Sequence, residues 1–316
     1  MNKVLVTRPM TAAVRKAAEA VFDVTFRPET LPCSVDEMVA ALQQYDAVIP
    51  TLGDAFNADV FAGAGAPKAK LLANFGVGYN HIDVAAAQAA GVLVTNTPGA
   101  VTDATADIAM TLILMSARRA GEGERMVRAG AWQGWHPTQM LGLHLTGKTV
   151  GIIGMGRIGQ AIAQRCHFGF GMTVKYFNRS PKPMAFPAEQ VPDMIDLAAD
   201  VDVLVIAVPG GAATHHLIGQ EIFAAMQPHA RFINIARGDI VDEAALVEAL
   251  ETGSIGGAGL DVYEFEPKVP GKLMRDDVVL LPHLGTAAEE VRTAMGLMAV
   301  ENVRAFFAGE DLPNPV

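Results

Sequence analysis

Gly154, Gly156 and Gly159 are spaced G-x-G-x-x-G directly after the apolar run Val150-Gly151-Ile152-Ile153, and Ile158, Ala161 and Ile162 follow at helical spacing. A strand, a tight turn and a helix start, in that order, make a seat for a dinucleotide pyrophosphate. Gly154 allows the turn, Gly156 lets the backbone approach the phosphates without a Cβ, and Gly159 lets the helix pack closely on the strand. The phosphates then meet free N–H groups and the positive dipole end of a helix that opens at Arg157 and Ile158. The plain alternative is a structural glycine turn in a chain with 31 glycines.

The next strand-like run, Thr173–Phe177, leads into Asn178-Arg179-Ser180, where an NAD-selective site carries Asp or Glu. A carboxylate accepts bonds from the ribose diol but repels a 2′-phosphate. A neutral amide, a guanidinium and a hydroxyl do the opposite, so NADP(H) is the expected cofactor. Otherwise Arg179 is a solvated loop charge.

Three further residues stand at the ends of later strand-like runs: Arg237 in FINIARGDIVDE, Glu266 in LDVYEFEP and His283 in VVLLPHLG. In an open α/β sheet these ends line the ligand crevice, so residues remote in sequence can converge there. A guanidinium can hold a carboxylate and polarise an adjacent carbonyl, while a histidine supplies the proton that accompanies hydride delivery. A neighbouring carboxylate would raise the imidazole pKa from its reference of about 6.5 and orient the ring. Taken singly, each residue could equally be an ion-pair partner or a satisfied surface group.

These groups need a parallel α/β frame, and the sequence alternates short apolar runs with helical patterns almost throughout. Strands are expected at Lys3–Thr7, Val21–Phe26, Ala47–Pro50, Leu71–Asn74 and Val92–Asn96, forming a first open sheet. An alanine-rich connecting helix from Thr105 to Arg119 follows, with Ile108, Leu112 and Met115 in register. A second sheet of six strands is expected at Thr149–Ile153, Thr173–Asn178, Val203–Ala207, Arg231–Asn234, Gly256–Leu260 and Val278–Leu281. The stretch from Ala287 to Gly309 is again helical and is expected to pack back on the first domain. The reading is two doubly wound domains: a Rossmann cofactor domain (99–286) inserted into a flavodoxin-like substrate domain (1–98 plus 287–316), with the active site in the cleft between them.

Bulk properties narrow the function. The 316 residues are 51% hydrophobic and 18% charged, enough to bury a large core in about two domains. A net charge of −10 without a basic patch argues against nucleic-acid or anionic-membrane partners. The opening MNKVLVTRP enters a strand pattern without a leader-like segment, and no apolar run approaches the roughly 20 residues of a membrane helix, so a cytoplasmic protein is expected. Only Cys33 and Cys166 are present, without a C-x-x-C pair; neither a disulfide nor a metal site is expected. The scattered methionines read as core filler.

The segments ANFGVGYNHID, NTPGAVTDATADIA, GKTVGIIGMGRIG, INIARGDIVDEAAL, GLDVYEFEP and LLPHLGTA, in this order from Ala73 to Ala287, resemble the D-isomer-specific 2-hydroxyacid dehydrogenases over nearly the whole chain. The closest look is to the NADPH-dependent glyoxylate/hydroxypyruvate reductases. The resemblance implies that Arg237 binds a 2-oxo acid, that His283 is the general acid/base and that Glu266 pairs with it. It also implies that backbone N–H groups in Phe75-Gly76-Val77-Gly78, with Val77 and Gly78 as candidates, cradle the substrate carboxylate; an ordinary glycine turn is the alternative. Tyr79-Asn80-His81, which follows, departs from the usual family sequence, and His81 reads as a surface or loop histidine.

Cofactor contacts implied by the resemblance are Thr102, Val208, Pro209, Ala236 and Asp261, beside Gly154, Gly156, Arg157, Ile158, Asn178, Arg179 and Ser180. Thr102 could instead cap a helix, Asp261 could be a strand-end turn residue, and Pro209-Gly210-Gly211 a plain turn. Trp132 and Trp135 in AWQGWHP resemble the segment with which such reductases close a small pocket, sometimes from a partner subunit; packing in a homodimer interface through the cofactor domain is the other reading. A phosphoglycerate dehydrogenase relative is disfavoured by Asn178-Arg179 and by an expected chain end at Val316 without a regulatory domain. A formate dehydrogenase relative is disfavoured by Glu266, and a nucleotide-sensing corepressor by the complete Arg237, Glu266 and His283 set. The expected reaction is NADPH-dependent reduction of glyoxylate or hydroxypyruvate; a bulkier 2-oxo acid is the alternative.

Overall fold

The computed structural model describes residues 1–316. The chain separates into two compact units, Met1–Val101 with Ala287–Val316, and Thr102–Thr286.

In the first unit β1 (Lys3–Val6), α1 (Ala12–Glu19), β2 (Asp23–Phe26), α2 (Val35–Gln44), β3 (Ala47–Ile49), α3 (Ala58–Ala64), β4 (Leu71–Ala73), α4 (Val84–Ala89) and β5 (Leu93–Thr95) alternate strictly. The sheet is parallel, in the order β2-β1-β3-β4-β5. Val48 and Leu72 face one hydrophobic cluster, while Ala47, Ile49, Leu71 and Ala73 face the other. With both faces covered, these strands are apolar at every position rather than alternating. Polar residues start the helices: Ser34 and Glu37 form a reciprocal capping box on α2, and Asn57 and Asp83 accept from the N–H groups of Val60 and Ala86.

Asp54 is a buried charge in this unit. It accepts from the N–H groups of Cys33 (2.9 Å) and Thr51 (3.1 Å) and the Thr7 hydroxyl (2.6 Å), and pairs with Arg8 at 2.8 Å. Burial disfavours its charge, but these donors outweigh it and hold the carboxyl below the usual range. Asp54→Asn leaves Arg8 without its ion-pair partner and is expected to cost about 3 kcal/mol of unfolding free energy, read by chemical denaturation. Because the folded-state pKa is depressed, the parent's advantage should be fully present above the unfolded carboxylate pKa of about 3.9 and shrink as pH falls through the lower folded value. A pH-independent difference would remove the ion pair from the explanation.

The second unit contains α5 (Thr102–Ala117), α6 (Ala120–Arg128), β6 (Thr149–Ile153), α7 (Arg157–Phe170), β7 (Thr173–Phe177), β8 (Glu189–Gln190), α8 (Met194–Ala199), β9 (Val203–Ile206), α9 (Gln220–Ala225), β10 (Arg231–Asn234), α10 (Glu243–Glu251), β11 (Gly257–Leu260) and β12 (Val278–Leu280). Its parallel sheet runs β12-β11-β10-β9-β6-β7-β8, so the order reverses between β6 and β9. On β9, Val203 and Val205 join one core cluster and Leu204 and Ile206 the other. This is a doubly wound sheet whose switch point lies at β6, the strand that carries the glycine turn.

The sheet has seven strands where six are expected; β8 is two residues long and its side chains are largely solvated. The connecting helix starts at Thr102 and stops at Ala117, because Arg119 adopts a left-handed φ of 52° and turns the chain into a separate helix, α6. Arg119 and Glu122 bond at 2.7 Å across that turn. The last helix, α11 (Glu289–Ala308), belongs to the first unit, where Gly296 lies against Val14 of α1 and Ala299, Val300 and Val303 complete the core. Both cysteines are free and buried. No helix is long and apolar enough to cross a membrane.

Candidate active site

The glycine turn is built by close approach. Gly154 has a φ of 102°, and a Cβ there would lie 2.7 Å from the Ala207 carbonyl carbon and 2.8 Å from Val208 Cγ1. A Cβ on Gly159 would overlap the Gly154 carbonyl oxygen, whereas one on Gly156 would meet nothing within 4 Å. Open space at Gly156, ahead of the uncapped first turn of α7, is a cradle that a pyrophosphate fits. Arg157 is exposed and Ile158 half-buried at the same helix start.

Asn178 joins this turn to the end of β7. Its Oδ1 accepts from the Met155 N–H at 3.1 Å and its Nδ2 donates to the Ser180 carbonyl at 2.7 Å. Arg179 and Ser180 project beyond it, both exposed, and Arg179 makes no ion pair. Val208 and Pro209 lie just past β9, opposite the glycine turn, with the Pro209 carbonyl accepting from the Thr214 hydroxyl at 2.8 Å.

Past β10, β11 and β12 the structure brings Arg237, Glu266 and His283 together. His283 Nδ1 and Glu266 Oε2 are 2.9 Å apart, and Glu266 Oε1 accepts from the Tyr263 N–H at 3.1 Å. Burial opposes the Glu266 charge, yet the His283 hydrogen bond and charge, the Tyr263 N–H and the Arg237 guanidinium together hold its carboxyl below the ordinary range. Burial also lowers the pKa of Arg237, against the attraction of Glu266 and Asp239; a guanidinium starting so high stays charged. With its Nδ1 proton directed at Glu266, the ring is fixed and Nε2 is left for proton transfer.

Asn234 and Gly238, which carry no expectation from the sequence, hold this arrangement together with Asp261, expected as a cofactor contact or a strand-end turn residue. Asn234 accepts from the Ala236 N–H (3.0 Å) and donates to the Arg237 carbonyl (3.0 Å), shaping the turn that presents Arg237. Gly238 lets that turn touch the Tyr263 backbone, which any Cβ there would overlap, and Gly210 lies against the Arg237 stem. His283 itself has a left-handed φ of 54°. Buried Asp261 secures that turn: it accepts from the N–H groups of Leu284 (2.6 Å) and Gly285 (2.8 Å), and its carbonyl accepts from the His283 N–H (2.9 Å). Desolvation raises the Asp261 pKa despite these bonds.

Val77 and Gly78 lie in the first unit, after β4. Asn74 Nδ2 donates to the carbonyls of Gly76 (3.1 Å) and Gly78 (3.0 Å), and Asn96 Nδ2 to that of Val77 (2.9 Å). The loop's carbonyls are thereby tied down, while the Val77 and Gly78 N–H groups bond to no protein acceptor. His81 stands in the turn that follows and is half-buried, with its Nε2 3.1 Å from Asn74 Oδ1. Thr102 opens α5 as its first residue, half-buried. Trp132 and Trp135 are 53% and 78% exposed.

A glycine seat on the switch-point strand and a histidine–carboxylate pair beside a half-buried guanidinium, all in one doubly wound unit, define an oxidoreductase of the pyridine-nucleotide-binding class. Comparison with known proteins narrows that class. The NAD-binding-domain model of the D-isomer specific 2-hydroxyacid dehydrogenases matches residues 110–285, and the chain belongs to that family. It is 41% identical to a glyoxylate reductase of Thermococcus litoralis, over 99% of this chain and 96% of that one. An NADPH-dependent glyoxylate/hydroxypyruvate reductase from Sinorhizobium meliloti, solved in complex with NADP and malonate, is 34% identical, with a TM-score of 0.88 covering 100% of this chain and 96% of that one. The D-mandelate dehydrogenase of Rhodotorula graminis is 30% identical, with a TM-score of 0.86 over 100% and 97% of the two chains.

Proposed function

We propose that this chain reduces glyoxylate, and hydroxypyruvate beside it, to the corresponding 2-hydroxy acid at the expense of NADPH. The observation that carries the reading is the 2.9 Å His283–Glu266 pair held next to Arg237 in the unit that also contains the glycine seat. Bound NADPH supplies a hydride to the carbonyl carbon. Arg237 holds the 2-oxo acid and stabilises the negative charge developing on the carbonyl oxygen. His283 gives its Nε2 proton to that oxygen, and Glu266 stabilises the charged ring beforehand and keeps it oriented. The N–H groups of Val77 and Gly78 are assigned to the substrate carboxylate.

Gly154, Gly156, Arg157 and Ile158 are assigned to the pyrophosphate, Asn178, Arg179 and Ser180 to the 2′-phosphorylated ribose, and Thr102, Val208, Pro209, Ala236 and Asp261 to the remainder of the cofactor. Asn178 is engaged with Met155, so the exposed, unpaired Arg179 is the principal phosphate ligand in this reading. Exposed Trp132 and Trp135 are assigned to a homodimer interface formed by the cofactor unit.

Arg179→Ala should raise KM for NADPH about tenfold, the loss of one charge-assisted phosphate contact, and leave KM for NADH unchanged. Equal effects on both cofactors would remove Arg179 from the selectivity argument. The reaction itself is tested by turnover with NADPH deuterated at the nicotinamide C4. Deuterium should appear on the hydroxyl-bearing carbon of glycolate, and its absence there would exclude direct hydride transfer. A bulkier acid is the second reading, supported by the likeness to D-mandelate dehydrogenase.

A further inference from the structure

After β9 the chain makes a single 3₁₀ turn, Ala212–Thr214, and then places two histidines side by side. The rings of His215 and His216 stack, with centroids 4.0 Å apart and planes 23° apart. His216 Nε2 lies 2.8 Å from Glu264 Oε1, a carboxylate in the segment that follows β11. One ligand atom from each of the three residues lies within 4.8 Å of the others. Donors around a four-coordinate zinc ion, with bonds of about 2.0–2.1 Å, stand roughly 3.3–3.5 Å apart. An imidazole binds a metal in its own plane, so the two stacked rings cannot share an ion as they stand; binding requires the exposed His215 ring to turn out of the stack toward the His216–Glu264 pair.

We propose that His215, His216 and Glu264 form a binding site for a divalent transition-metal ion, with zinc the ion best matched to two imidazoles and one carboxylate, and water completing the coordination.

The supporting backbone is fixed rather than adaptable. The His216 N–H donates to the Asp239 carbonyl at 2.9 Å, the Ile218 N–H to that of Ile240 at 3.0 Å, and the Glu264 N–H to Glu243 Oε1 at 2.9 Å. His216 is held at a φ of 48°, which fixes the backbone that carries its ring beside Glu264. Both histidines are exposed and Glu264 is half-buried, so an ion can enter from solvent and keep water ligands. None of the three residues takes part in the proposed hydride transfer, so the site stands or falls independently of it.

The test is calorimetric titration of the untagged, full-length, chelator-treated protein with zinc chloride, and separately with magnesium chloride. One zinc ion per chain should bind with a micromolar dissociation constant, and magnesium should not bind. His215→Ala, His216→Ala and Glu264→Gln should each weaken zinc binding more than about tenfold, as loss of a direct ligand exceeds loss of a supporting contact. Unchanged melting temperatures without metal would show that the variants are folded; His215→Gln serves if the alanine variants are not. Absence of zinc binding in the parent, or undiminished binding in both histidine variants, would overturn the proposal.

Discussion

His283→Ala is expected to lower kcat for glyoxylate reduction by about 10²–10⁴-fold, the usual range for loss of a positioned general acid, while the dissociation constant for NADPH stays near that of the parent. The ring stands on a left-handed backbone residue, with its N–H bonded to the Asp261 carbonyl and the next two N–H groups on the Asp261 carboxylate. That frame does not depend on the imidazole, so the variant should fold and bind cofactor. Glu266→Gln should cost less, because an amide can still accept from Nδ1 but no longer stabilises a charged ring. The loss should fall on kcat rather than on KM, since Glu266 acts through the ring and does not bind the acid. Single-turnover rates across pH decide the matter, and near-parental turnover in His283→Ala would remove the residue from the mechanism.

Arg237→Ala should reduce kcat/KM for glyoxylate by about 10²–10³-fold, comparable to removing a donor to a developing oxyanion. The guanidinium is held in place by a turn that Asn234 shapes and Gly238 allows to rest on the Tyr263 backbone, so its side chain is aimed before substrate arrives. Both kcat and KM should change, since the same group binds the acid and stabilises the transition state. Arg237→Lys should recover only part of the loss, because an ammonium is a point charge without the planar fork. An unchanged kcat with a raised KM would confine Arg237 to binding.

Much of this frame is legible in the chain itself. Val203–Ile206 reads as a strand because both its faces are buried in helices, and the glycine turn reads as a phosphate seat because strand and helix flank it. What escaped is what depends on contact between distant segments. Glu189–Gln190 joins the sheet through backbone pairing with Lys175 and Tyr176, an ion pair from Glu189 to Lys175 and a bond from Gln190 to the Asn178 carbonyl, leaving no apolar pattern to find. The break between α5 and α6 rests on the left-handed backbone of Arg119, a residue with no local preference for it. Asp261 shows no sign in sequence that it will gather the N–H groups of Leu284 and Gly285. A weak signal did exist for Asn74, Asn96 and Asn234. Each stands at the end of a strand, where an amide side chain can both donate to and accept from a turn.

The central claim is tested most directly by initial rates of NADPH and NADH oxidation with glyoxylate, hydroxypyruvate, pyruvate and phenylpyruvate, compared as kcat/KM. Clear preference for NADPH, and for glyoxylate and hydroxypyruvate over the other two acids, is expected. Preference for NADH, or for phenylpyruvate over glyoxylate, would contradict it.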